Sequence, residues 1–106
     1  MLTLAIDTAT KVCSVALCRD GEITAEYNIN MGMTHSEGLL PQLEQLLKRT
    51  NTKKQDIDLI AVSMGPGSFT GLRIGLATAE AMAYSWQCLL HGVDTLKALA
   101  YNIPLE

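Results

Sequence analysis

The sequence predicts an α/β domain: a mixed five-stranded sheet flanked by helices, in the order βββαβαβα. Three observations carry this prediction. The first 28 residues read as three short strands joined by tight turns. From Ser36 onward the apolar period changes from that of a strand to that of a helix. Two further helix–strand alternations follow, and strands linked through a helix pair in parallel. The 106 residues fit one domain spanning 1–106, with no internal repeat or low-complexity segment.

Leu2–Asp7 is a short apolar run with the look of a buried central strand. Lys11–Cys18 is a second run, uncharged after Lys11, and Asp20-Gly21 is a strong hairpin signal. Glu22–Asn28 alternates, with Ile23, Ala25 and Tyr27 expected on one face and Glu22, Thr24, Glu26 and Asn28 on the other. After a loop over 29–35, leucines at 39, 40, 43, 46 and 47 mark a helix over Ser36–Thr50, capped by Thr34 or Ser36. Pro41 predicts a late start or a bend in that helix. Leu59–Ser63 is a buried strand, and Gly65–Ser68 a turn leading into a helix over Phe69–Ser85. Cys88–Val93 is the last strand, and Asp94 caps a final helix to about Tyr101, ended by Pro104. Three antiparallel strands followed by two crossovers are the order of a ribonuclease-H-like domain.

Composition excludes several classes. Hydrophobic residues make up 48% of the chain, against disorder. The net charge of −3 and the lack of a basic stripe disfavour direct nucleic-acid binding. Lys48, Arg49, Lys53 and Lys54 cluster around one turn and little else joins them. Cys13, Cys18 and Cys88 are odd in number and show no C-x-x-C spacing. They read as small apolar fillers in a reducing compartment. The sequence MLTLAIDTAT lacks a basic signal-peptide start, and no segment reaches a membrane-spanning length. The expectation is a soluble cytoplasmic protein with no membrane partner.

Two loops carry candidate chemistry. Asp7-Thr8-Ala9-Thr10 follows the first strand, where an acid holds a hydrated cation and hydroxyls meet phosphate oxygens. Asp and Thr also form ordinary turns, the commoner role for such a stretch alone. Gly65-Pro66-Gly67-Ser68 leads into a helix whose free N–H groups attract anions. It lacks the lysine of a P-loop, and Gly71 falls one residue late for a dinucleotide loop. A sharp turn with Ser68 as N-cap is the plainer reading. The nucleotide-binding candidates are therefore Asp7, Thr8, Thr10, Gly65, Gly67 and Ser68.

Taken together, the two loops resemble the TsaB (YeaZ) family. The matching stretches are LAIDTAT at 4–10, CSVAL at 13–17, HSEGLLPQLEQLL at 35–47, PGSFTGLRIG at 66–75 and GVDTLKALA at 92–100. They cover nearly the whole chain, and PGSFTGLR is the specific one. The resemblance places the chain in the actin, sugar-kinase and Hsp70 superfamily, related to TsaD. It implies a non-catalytic partner of TsaD in threonylcarbamoyladenosine modification of transfer RNA, with a TsaE-like ATPase joining through the complex. It implies no cofactor of its own, with ATP or ADP and magnesium only within the assembled complex. His35 is followed at the fourth position by Leu39, so the paired-histidine metal site of TsaD-like enzymes is missing. Family members carry a second lobe that completes the cleft, and this sequence carries the first. Two alternatives stand: an actin-like nucleotide-binding ATPase or kinase lobe using Asp7, Thr8 and Thr10, and a glycoprotease-like peptidase.

The helix after the glycine loop is unusually apolar. Phe69, Leu72, Leu76, Ala79 and Ala83 form one stripe, and Arg73, Glu80 and Tyr84 a narrow polar one. Gly71, Gly75, Thr78 and Met82 lie on the far side, where two glycines admit another backbone closely. That side is expected to meet TsaD, or a second copy in a homodimer, unless another helix of the same domain covers it.

Overall fold

The computed structural model describes residues 1–8, 12–30, 36–65 and 69–94. Strand β1 is Leu2–Asp7, β2 Val12–Arg19 and β3 Glu22–Asn30. Helix α1 is Ser36–Arg49, followed by a short 3-10 turn at Lys54–Asp56, β4 at Leu59–Gly65, α2 at Phe69–Trp86 and β5 at Leu89–Asp94. The sheet order is β3-β2-β1-β4-β5. β1–β2 and β2–β3 pair antiparallel, whereas β1–β4 and β4–β5 pair parallel. The mixed sheet expected from the sequence is therefore present. The predicted final helix and its Asp94 cap lie outside the described residues, apart from Asp94 itself, which ends β5.

Local chemistry explains the boundaries. Asp20 and Gly21 hold φ of 53° and 87°, the positive pair that a two-residue hairpin turn needs. Both described helices end through a residue in the left-handed region, Asn51 and Gln87. After α1, Thr52 N–H bonds to Leu47 C=O at 2.9 Å and Asn51 N–H to Lys48 C=O at 3.2 Å. After α2, Cys88 N–H bonds to Ala83 C=O at 3.1 Å. Pro41 sits inside α1 without ending it, on the exposed side.

One face of the sheet makes the core. Leu2, Leu4 and Ile6 of β1, Cys13, Val15 and Leu17 of β2, and Ile60 and Val62 of β4 are buried there. Leu39, Leu43, Leu46 and Leu47 of α1 and Ala79, Met82 and Ala83 of α2 close over them. α1 lies on β2 and β3, and α2 on β4, β1 and β5. The sequence places Ile23 with Ala25 and Tyr27; the structure separates them. Leu17 pairs with Ala25 but Cys18 with Ile23, so Thr24 is an extra residue in the ladder. The bulge reverses the alternation. Ala25 and Tyr27 pack against the core, whereas Ile23 turns to the opposite face and is 60% exposed.

Helix α2 corrects a second expectation. Gly71, Gly75 and Met82 are buried within the domain, and Thr78 is half-buried. Ala79 and Ala83 are buried too, so most of the helix circumference is covered by its own chain. Its exposed stripe is Thr70, Arg73, Ala77, Glu80, Ala81, Tyr84 and Ser85. The apolar excess that suggested a partner on Gly71, Gly75 and Met82 belongs to a helix seated over the middle of its own sheet.

Candidate functional site at the carboxyl ends of β1 and β4

Parallel β1, β4 and β5 end on the same side of the sheet, where open α/β sheets bind ligands. Asp7 is the last residue of β1, half-buried, in register with Ser14 of β2. Gly65 ends β4 with φ of 108°, a conformation that disfavours any side chain, and pairs with Asp94 of β5. Met64 is skipped in that ladder and stands 52% exposed. Helix α2 begins at Phe69. The structure thus brings Asp7 and Gly65 to the ends of strands that pair in parallel. Thr10, Gly67 and Ser68 lie outside the described residues.

Thr8 has a different task from the one its sequence suggests. It is fully buried, and its hydroxyl donates to the Gly71 carbonyl at 2.5 Å. A Cβ placed on Gly75 would overlap Thr8 Oγ1. The close backbone approach expected of Gly75 therefore happens inside the chain, with Thr8 as the neighbour. Thr8, Gly71 and Gly75 form one contact that fastens the first turns of α2 to the end of β1. A hydroxyl used in this way does not face a phosphate outside the strand end, which corrects the assignment of Thr8 as a phosphate ligand. The signal was present in the sequence as two glycines four residues apart on one helical face.

On the opposite face of the sheet a shallow depression of about 300 Å³ runs beside Asp7, Ser14, Ala16, Cys18, Ser63 and Val93. Ser14 donates its hydroxyl to Asn28 Oδ1 at 2.6 Å. The three thiols share one direction of shift. Burial pushes Cys13 above the ordinary thiol value, and the charge of Asp7 adds to the effect. Burial also raises Cys18, helped by Glu26, and raises Cys88. The three cysteines are free; Cys13 is buried, and Cys18 and Cys88 are half-buried. His91 is exposed on β5, and His35 lies outside the described residues. Among the described residues no group of three or more His, Cys, Asp or Glu side chains is placed to hold a metal. No helix among them is long and apolar enough to cross a membrane.

The family model for TsaD, tRNA N6-adenosine threonylcarbamoyltransferase, matches residues 29–106. The tRNA threonylcarbamoyladenosine biosynthesis protein TsaB of Escherichia coli strain K12 is 41% identical over 94% of this chain and 43% of its own length. The TsaB of Bacillus subtilis strain 168 is 37% identical over 96% of this chain and 44% of its own. The solved structure of YeaZ from Pseudomonas aeruginosa superposes with a TM-score of 0.88 at 34% identity, covering 95% of this chain and 47% of that one. Another Pseudomonas aeruginosa structure, described as similar to the peptidase YeaZ, fits equally well at a TM-score of 0.88. The chain spans less than half the length of the curated relatives it matches.

Proposed function

The chain belongs to the TsaD family, on its TsaB branch, and from that premise we propose that it is a non-catalytic companion subunit in threonylcarbamoyladenosine modification of transfer RNA. A TsaD-like subunit carries the threonylcarbamoyl transfer, and a TsaE-like ATPase joins through the complex. The observation that carries the non-catalytic part is the inward turn of Thr8. Its hydroxyl serves the packing of α2 on β1 through the Gly71 carbonyl. The first helix also has Leu39 where TsaD-like enzymes place a second histidine after His35.

The partner meets the exposed stripe of α2, where Ala77 and Ala81 allow close approach and Tyr84, 88% exposed, supplies an aromatic anchor. In the absence of TsaD the same stripe serves a homodimer. ATP or ADP with magnesium enters only in the assembled complex. The deciding experiment mixes the chain with the TsaD-like subunit of the same cell and follows co-elution and transfer to a tRNA transcript. Transfer that needs both proteins is the expected result. Transfer by the TsaD-like subunit alone at full rate sinks the companion role.

A second reading is favoured by one observation, the placing of Asp7 and Gly65 at adjacent carboxyl ends of β1 and β4. It makes the chain an actin-like nucleotide-binding lobe. Micromolar binding of ATP with magnesium by the isolated chain, lost in Asp7→Ala, selects it over the first.

A further inference from the structure

We infer that the turn closing α1 is a docking surface for the phosphate backbone of transfer RNA, an inference that rests on the functional reading above. Lys48 and Arg49 end α1, and Lys53 and Lys54 follow at once. Half of the chain's eight cations thus fall within seven residues, on a chain whose net charge is −3. All four are exposed. They are held on a rigid support, because the bonds from Thr52 and Asn51 back to Leu47 and Lys48 close the turn.

Simpler accounts leave part of the cluster unexplained. The carbonyl end of a helix attracts cations of its last turn. That covers Lys48 and Arg49 but not Lys53 and Lys54, which lie beyond it. Among the described residues no carboxylate forms an ion pair with any of the four. Of the acids nearby, Glu44 stands exposed one helical turn before Lys48, and Asp56 and Asp58 are bonded to backbone N–H groups. Asp58 accepts the Leu2 N–H at 2.8 Å, and Asp56 the Lys53 N–H at 3.4 Å. The four cations are therefore exposed and outside any ion pair among the described residues.

Two aromatic rings set the reach of the surface. Arg49 lies over Tyr27 and Lys54 over Trp86, each at 5.9 Å from the ring centre. The rings fix two of the cations at opposite ends of the cluster, over β3 and over the end of α2. Among the described residues Lys48 and Lys53 have no such ring contact, and both are exposed. Two cations held in place over rings that pack on the core, each with an exposed lysine next to it in the chain, offer a row of charges that suits the phosphates of RNA. The overall acidity that argues against RNA binding by the chain does not describe this end of it.

The test uses Lys48→Gln with Lys53→Gln, which leaves both ring contacts in place. Binding of an unmodified tRNA transcript is measured against salt, for the chain alone and for the chain with its TsaD-like partner. The variant is expected to bind roughly tenfold more weakly at low salt. Its slope of log affinity against log salt should be shallower by about two, about one per lysine. Unchanged affinity and slope, or no salt-dependent binding of the transcript in either form, overturns the inference. Equal binding of a polyglutamate of matched charge also overturns it, in favour of an acidic protein. Capture of the TsaD-like subunit is scored separately. Its failure with both unaltered chain and variant removes the companion role, while the transcript slope still decides the RNA surface.

Discussion

The contact of Thr8 with Gly71 and Gly75 shows how one buried hydroxyl decides what a glycine is for. An alanine at position 75 is a better helix former than glycine by about 1 kcal/mol. Here that gain is opposed by the overlap of its Cβ with Thr8 Oγ1, which is walled in on all sides. Overpacking of this kind costs about 1–3 kcal/mol, so Gly75→Ala is expected to destabilise. Thr8→Ala removes the struck atom along with the bond to Gly71, at about 1 kcal/mol for the bond. The double variant should then be more stable than the sum of the two single losses. Urea unfolding of the four proteins measures this coupling; strict additivity would show that the two residues do not meet. The thiols supply a second prediction. Cys13 is fully buried and its pKa is raised, chiefly by burial. The thiolate is the reactive form, so at mildly alkaline pH Cys13 should resist alkylation until the chain unfolds. Labelling of Cys13 at the rate of a free thiol in native buffer contradicts the packing described.

At the scale of elements, the bulge in β3 makes a prediction that an unbroken strand does not. Ile23 stands on the face away from α1 and is largely exposed, whereas Leu17 is buried on the core face. Ile23→Thr is expected to change stability by less than about 0.5 kcal/mol, and Leu17→Ala to cost about 2–5 kcal/mol. A large loss in Ile23→Thr by thermal or urea unfolding would return Ile23 to the core. The contrast marks what a sequence conveys. Strands β1, β2 and β4 and both described helices were legible from period and from turn residues such as Asp20-Gly21. The bulge was not, because Ile23, Ala25 and Tyr27 alternate without interruption and only pairing with β2 shows the extra Thr24. The face of α2 was hidden for another reason. A helical wheel tells which residues share a side, but a helix apolar over more than half its girth does not say which side meets the sheet. Of the two candidate loops, the structure describes Asp7, Thr8 and Gly65. Turn chemistry singled out Asp7–Thr10 and Gly65–Ser68 as candidates, yet a threonine hydroxyl serves a phosphate and a buried carbonyl equally well on paper.

At the scale of the whole molecule, a companion subunit should be stabilised by its partner, and mass action gives the size of the effect. A partner that binds only the folded chain adds about 2.7 kcal/mol when present at 100 times its dissociation constant. The melting temperature of the chain should therefore rise with the concentration of the TsaD-like subunit. The stripe of α2 carrying Ala77, Ala81 and Tyr84 is where that gain originates in the reading given above. Tyr84 is 88% exposed, so Tyr84→Glu leaves the free chain's own unfolding within about 0.5 kcal/mol of the original. On the assembled side it places a charge, without a partner of its own, in the middle of a buried contact, which costs several kcal/mol. The variant should melt like the parent when alone and gain nothing from the TsaD-like subunit. Scanning calorimetry of both chains across a titration of that subunit separates the cases. A variant that is stabilised as fully as the parent places the partner on another surface, and one that melts early when alone shows that Tyr84 supports the fold instead.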